Sequence, residues 1–268
     1  MNFLIRCFKK ALDLVEKIMF YPEKVFPTYL ENWPDGLRKL SVPQVDIPLS
    51  LEDAHALGSH IWHFKQWFGD RRPIDNIINQ LNRVLLNFPE GAFVRLGSRS
   101  GKDSYYAQEY GLKITQADAA IKMLTQASKR IAFDLHLALK YRYTPHIFVR
   151  QWVDIPKWAE FRCFMKRRRL VGISQYDCGN YYPEIAIHAV PIRFVIQSFF
   201  KRFKTVSHLD DVIFDVFITM PAGDMAHSWE VNLLEINPFC FKADPGLFHW
   251  HHDGDFDGSF RFLASELA

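Results

Sequence analysis

The chain has 268 residues, 49% of them apolar and 15% aromatic, with a formal net charge of +3. That length can bury a large core, and the composition excludes a disordered chain. Basic residues are spread along the sequence without a helix-turn-helix, zinc-finger or RNA-binding signature, so nucleic acid is a disfavoured partner.

The four cysteines, Cys7, Cys163, Cys178 and Cys240, form no CxxC and no metal-ligand spacing. Cys163 and Cys240 sit inside apolar runs and are expected as buried thiols, which fits a reducing, cytoplasmic setting. No apolar run reaches the ~20 residues of a membrane span. Arg6, Lys9 and Lys10 interrupt the apolar N-terminus, unlike a signal peptide.

In chain order, Leu4, Phe8, Leu12, Val15 and Met19 predict an amphipathic helix over 3–19, read as docked on the body in preference to a membrane-surface or partner helix. Prolines recur from Tyr21 to Pro48, an irregular segment. Ser50 with Asp53 starts a helix running to about Phe68, where Gly69 and Pro73 break it, and a second helix carries Ile74 to Phe88. His55, His60 and His63 lack a carboxylate or cysteine at ligand spacing and read as surface or boundary histidines.

Pro89-Glu90-Gly91 turns the chain into a strand, Ala92 to Leu96, followed by the small-residue loop GSRSGKDS. With Arg95, Arg99 and Lys102 such a loop can approach phosphates, although it lacks the GKS or GKT of a Walker A loop. One helix, capped near Thr115 or Asp118, is expected to run toward Leu139, and a strand from His146 to Trp152. EFRCFM and LVGISQY form a hairpin whose tip, Lys166 to Arg169, reads as a solvated basic turn. Arg162, flanked by apolar residues, needs either a carboxylate such as Glu160 or a ligand phosphate.

Val190 to Phe203 is a further helix, and VIFDVFI places Asp215 in an otherwise apolar strand. After a turn at Pro221-Ala222-Gly223-Asp224, the strand Val231 to Ile236 ends by presenting Glu235 and Asn237 on one face. A carboxylate and an amide carbonyl are ligands of hard cations such as magnesium, and adjacent strands would bring Asp215 to them. Two facing acids need a cation: a divalent ion bridging nucleotide phosphates, or a salt bridge to Arg95, Lys102 or Arg162. The tail, with His249, His251, His252, Asp253, Asp255 and Asp257, reads as a loop in preference to a metal cluster.

FVRLGSRSGKD, FVRQW, AEFRCFMKRRRLVGISQYD followed by Tyr181-Tyr182, DVIFDVF and LLEINPFCFKADPGLFHW, in this order from Phe93 to Trp250, resemble the cell division cycle protein 123 family, of the ATP-grasp fold. The resemblance implies an α+β ATP-grasp protein with mostly antiparallel sheets and ATP and magnesium held between two α+β subdomains. It implies a divergent, mainly helical region 1–90, a first subdomain 91–150 with the phosphate-binding strand and loop, and a second subdomain 151–268 with the metal-binding strands. Arg95 would take the phosphate-binding position with Lys102 nearby. Arg150, Gln151, Trp152 and Val153 would form the strand against which adenine packs, with backbone hydrogen bonds from Gln151 and Val153. Arg162 would reach the phosphates, and Asp215, Glu235 and Asn237 would hold the metal. Tyr176 stands where family members commonly have arginine, and Glu235 where they usually have aspartate.

The family acts as an assembly factor on the gamma subunit of translation initiation factor 2, so the resemblance implies a nucleotide-dependent protein-binding or assembly factor, with slow or absent ATP turnover. An ATP-grasp carboxylate–amine ligase is the alternative: an acylphosphate would form and be captured by an amine, with Arg162 and Lys102 stabilising the transferring phosphoryl group. A third reading makes the acids structural and the N-terminal helix an adaptor.

Overall fold

The computed structural model describes residues 23–220, 229–250 and 255–265. The helix expected over 3–19, the turn at 221–224 and the tail residues 251–254 lie outside them. The chain divides into two compact units. One is the contiguous segment Val42–Val153; the other comprises the described residues of the two flanking segments, Met1–Ser41 and Asp154–Ala268.

In the inserted unit, strands β1 (Gln44–Pro48), β2 (Ala92–Leu96), β3 (Lys113–Ile114) and β4 (His146–Gln151) form an antiparallel sheet of order β1-β4-β2-β3. Alternation divides its faces. Ile47, Ala92, Val94, Leu96, Ile147 and Val149 point into the core, where helices α1 (Leu51–Ser59), α2 (Asp75–Leu85), α4 (Ala117–Thr125) and α5 (Lys129–Tyr141) contribute Leu57, Leu81, Leu124 and Leu135. The short helix α3 (Tyr105–Tyr110) follows the loop after β2.

Three boundaries differ from the sequence reading. The segment before Pro48 ends as strand β1, paired along its length with β4, because Val45 and Ile47 alternate against Val149 and Ile147. The helix begun by the Ser50–Asp53 capping box stops at Ser59. There the chain bends at Ile61, which leaves the helical region (φ −90°, ψ 82°) and is fully buried, and only short helical turns follow, Trp62–Phe64 and Lys65–Phe68. The helix expected to run unbroken to Leu139 is two, α4 and α5, separated at Ala127 with φ 61°. Ser128 restarts it, its hydroxyl accepting from the Ile131 N–H at 3.2 Å.

The flanking unit holds a five-stranded sheet of β5 (Glu160–Lys166), β6 (Arg169–Gln175), β7 (Val212–Thr219), β8 (Glu230–Pro238) and β9 (Phe260–Arg261) in the order β8-β7-β5-β6-β9. All pairings are antiparallel except β6 with β9. Helix α6 (Pro183–Ile187) leads into α7 (Ala189–Val206), whose Phe199, Phe200 and Phe203 pack on Phe214 of β7, with the Phe203 and Phe214 rings stacked at 4.2 Å between centroids. Phe161, Cys163 and Met165 are fully buried, while Cys240 is only half-buried. The β5–β6 hairpin turns on Arg167 and Arg168, both left-handed (φ 48° and 58°), which is the geometry of a two-residue hairpin turn usually built from Asn-Gly. Both units are therefore α+β with antiparallel-dominated sheets.

Candidate functional site

The sheet of the flanking unit assembles three of the expected site residues by register alone. Arg162 on β5 faces Asp215 on β7, and Asp215 faces Glu235 on β8. Asn237 follows two residues along β8, opposite Ile213. The arrangement depends on a bulge. Leu233 pairs with Val216 and Glu235 with Asp215, so Leu234 is an extra residue on β8. Val231 and Leu233 accordingly share the face of Ile218 and Val216, whereas Glu235 and Asn237 share the face of Asp215 and Ile213. Without the bulge, the acid and the amide would project from the face that carries Leu233.

Arg162 grips Asp215 with two parallel hydrogen bonds. Nε donates to Oδ1 and Nη2 to Oδ2, each at 2.8 Å, and Asp215 is 1% exposed. The remaining edge, Nη1, donates to the Asp244 carbonyl at 3.0 Å, and the guanidinium lies 5.0 Å from the Tyr176 ring centroid. Burial works against the charge on Arg162, but the Asp215 carboxylate overrides it and the arginine pKa is raised. Burial, then Asp215, raises the Tyr176 hydroxyl, which keeps it protonated.

The loop after β8 closes over this face. Gly246 sits at φ 60°, and a Cβ there would fall 2.6 Å from Ser174 Oγ, the same oxygen that accepts the Leu247 N–H at 3.0 Å. Gly172 leaves room for the Phe248 ring, which packs against Phe164 and stacks on Phe256. Arg261 lies over the other side of Phe248 at 4.0 Å and pairs with Asp255 at 2.7 Å. Asp255 and Asp257, grouped in the sequence with the histidines, are thus partners of this arginine.

The other expected residues belong to the inserted unit. On the sheet face opposite its core lie Phe93, Arg95, Phe148 and Arg150, with Arg95 and Arg150 on adjacent strands at diagonal positions. Both guanidinium side chains are almost wholly buried, 3% and 2% exposed, and Arg95 Nε donates to the Leu96 carbonyl at 2.9 Å. Gln151 ends β4, exposed, and Trp152 and Val153 follow half-buried. The loop after β2 is fixed at both ends. Arg99 pairs with the buried Asp134 at 2.9 Å, and Asp103 accepts from Ser128 Oγ at 2.6 Å and from the Arg130 N–H at 3.2 Å. Lys102 lies between these anchors with its side chain exposed.

Sequence reasoning did not identify the Arg162–Tyr176 contact, the Asp244 carbonyl or the Arg99–Asp134 pair. Asp134, lying on the buried side of an amphipathic helix, was the available signal for the last. Among the described residues no cluster of three or more His, Cys, Asp or Glu side chains is arranged to hold a metal ion. The donor set that remains is a mixed one. Asp215 supplies two carboxylate oxygens held by Arg162, and Glu235 and Asn237 are half-buried oxygen donors, a set that suits a hard cation.

Comparisons with known proteins agree with this architecture. The fold is similar to that of the Cdc123 structure from Schizosaccharomyces pombe, with a TM-score of 0.70 at 22% identity over 85% of this chain and 90% of that one. Residues of this chain are 29% identical to the translation initiation factor eIF2 assembly protein of Xenopus tropicalis, over 59% of this chain and 48% of the relative. They are 28% identical to the protein of that name in Schizosaccharomyces pombe, over 60% and 51%. The chain spans about half the length of these two relatives. Residues 65–254 match the family described as D123, which covers both sheets and every strand but β1 and β9, and the chain is a member of that family.

Proposed function

We propose that this protein binds ATP with magnesium in an ATP-grasp arrangement and uses the loaded state to bind or assemble a protein partner, a translation initiation factor of the kind named in its relatives. The observation that carries the nucleotide reading is the in-register row of Arg162, Asp215 and Glu235 on a face that also carries Asn237. Carboxylates and an amide oxygen gathered on one sheet face are the ligand types that a hard divalent cation takes.

Asp215, Glu235 and Asn237 would hold the magnesium, which when bound would offset the charge of the nucleotide phosphates. Arg162 would stay fixed by Asp215 while its remaining N–H groups faced phosphate oxygens. In the inserted unit, Arg95 and Lys102 would serve the phosphates, and Arg150 to Val153 the adenine, with the Gln151 and Val153 backbone as hydrogen-bond partners. The partner reading rests on family membership and on the relatives' names.

The test is calorimetric titration of ATP with and without magnesium into the wild type, Glu235→Gln and Asn237→Ala, each checked by thermal melting. Magnesium-dependent binding lost in both variants while the melts hold is the expected result. Unchanged affinity in both would remove the metal assignment. The partner arm is capture of the purified gamma subunit of translation initiation factor 2, with and without ATP and magnesium. ATP turnover that required an added carboxylate and amine would favour the ligase reading instead.

A further inference from the structure

β8 is an edge strand of its sheet, and among the described residues Leu40 and Ser41 hydrogen-bond to it at Leu233. The Leu233 N–H donates to the Leu40 carbonyl at 2.8 Å, and Ser41 Oγ donates to the Leu233 carbonyl at 2.6 Å. Leu233 therefore turns its peptide groups away from β7. The register is unbroken from Leu233 back to Glu230, so Val231, two residues earlier, also aims its N–H and C=O off the edge. Glu230 points the other way, its carbonyl accepting from Thr219 on β7 at 3.5 Å.

Beside this stretch is a cavity of about 560 Å³, walled by Phe194, Val195 and Arg202 of α7, by Trp229 and Val231, and by Lys39. The wall is unusual in composition. α7 carries Arg193, Lys201, Arg202 and Lys204 and no acid, and its Val190 and Phe194 are 80% and 64% exposed. Among the described residues, a groove of mixed lining, in which Phe194, Val195, Phe199 and Trp229 stand beside Ser198, Glu230 and Asn232, a basic rim and the outward peptide groups of Val231 are thus contiguous. A strand laid on an edge pairs through its backbone while alternate side chains enter the adjoining groove.

We propose that this groove receives an extended acidic segment of a partner protein, added to β8 ahead of Leu233. Its backbone would pair with the outward peptide groups of Val231. One set of alternating side chains, apolar, would enter the cavity against Phe194, Val195 and Trp229. Glutamate or aspartate residues at the rim would meet Lys39 and Arg202. Charge selects this occupant, because Glu230 is the one acid among the cavity residues and two cations stand against it. The proposal does not rest on the nucleotide reading, since none of the residues it uses is Arg162, Asp215, Glu235 or Asn237 and all belong to the cavity wall or the β8 edge.

The test uses fluorescein-labelled eight-residue peptides alternating glutamate with valine or phenylalanine, and matched peptides with lysine in place of glutamate, titrated against the full chain without nucleotide. Saturable anisotropy for the glutamate peptides, with a dissociation constant below about 1 mM, is expected. Arg202→Glu should weaken it roughly tenfold or more, and Phe194→Ser, at an exposed position, should weaken it without changing the melt. Val231→Pro removes the outward N–H that an added strand needs, and an edge position tolerates proline when its N–H faces away from the sheet. If that variant does not fold, the other two decide. Equal binding of the lysine peptides, no saturable binding of the glutamate peptides, or indifference to both Arg202→Glu and Phe194→Ser would overturn the proposal. So would a homodimer abolished by Val231→Pro, or Arg202-dependent binding to phosphatidylserine vesicles in place of the peptides.

Discussion

Replacing Asp215 by asparagine should destabilise the flanking unit before it says anything about ligands. The carboxylate is 1% exposed and takes two guanidinium hydrogen bonds at 2.8 Å, so the amide would present an N–H₂ group to donors and leave Arg162 charged and buried. Breaking a buried pair on one side costs about 3–5 kcal/mol. At roughly 2–4 °C per kcal/mol for a body of this size, the melting temperature should fall by about 6–20 °C. The double variant Arg162→Met/Asp215→Leu removes both charges and should recover most of the loss, because hydrophobic replacement of a buried pair is often neutral or better. The assay is urea unfolding followed by both far-ultraviolet circular dichroism and tryptophan fluorescence, on the two variants, Arg162→Met alone and the wild type. A cost below about 1 kcal/mol for Asp215→Asn, the range of exposed ion pairs, would refute the reasoning. It would mean that water reaches the pair and that Asp215 is available as a ligand without structural penalty.

Three other outcomes follow from the geometry. Arg167→Asn with Arg168→Gly should stabilise the β5–β6 hairpin by about 1 kcal/mol, relief of left-handed strain at two residues outweighing loss of the exposed Arg168–Asp210 pair and of the Arg168 hydrogen bonds to the Lys204 and Ser207 carbonyls; a lower urea midpoint would contradict this. Gly172→Ala should cost about 1–3 kcal/mol, since the new methyl would stand 2.7 Å from the Phe248 ring; a melt equal to wild type would show that the loop yields freely. Asp177 is held below the usual carboxylate range first by the Tyr182 hydroxyl at 2.6 Å and then by Asn180. Its contribution is present at neutral pH and is lost as acid passes below the unfolded carboxylate value toward the folded one. Tyr182→Phe should therefore reduce stability at pH 7 and flatten its decline between about pH 5 and 2; urea midpoints across that range that parallel the wild type would contradict this assignment.

Much of the fold was legible because period-two patterns are local. The β5–β6 hairpin, VIFDVFI and the strand beginning at Val231 each announce themselves by alternation or by an apolar run. The pairing of Asp215 with Glu235 was also readable, from two strands joined by a turn. What the pattern could not show was the bulge at Leu234. Simple alternation places Val231, Leu233, Glu235 and Asn237 on one face, and only the extra residue separates the apolar pair from the polar one. Nor does sequence reveal which partner Arg162 takes: carboxylate and phosphate satisfy the same desolvation argument, and the choice of Asp215 over Glu160 depends on strand order. The break at Ala127 was hidden because alanine gives no turn signal, and tertiary packing imposed a left-handed residue there.

The insertion of one unit within the other bears on how the chain is made. Val42–Val153 is contiguous, so all of its contacts exist once Val153 has emerged during synthesis. The flanking unit must hold Leu40 and Ser41 in reserve until Leu233 arrives, 192 residues after Ser41, to close its sheet edge. At about 5–20 residues per second, that wait is on the order of 10–40 seconds. Late in it, α7 with its row of phenylalanines waits for Phe214 of β7, and β7 in turn waits for β8. The flanking unit is thus the half of the molecule whose biosynthesis depends most on what meets it as it leaves the ribosome.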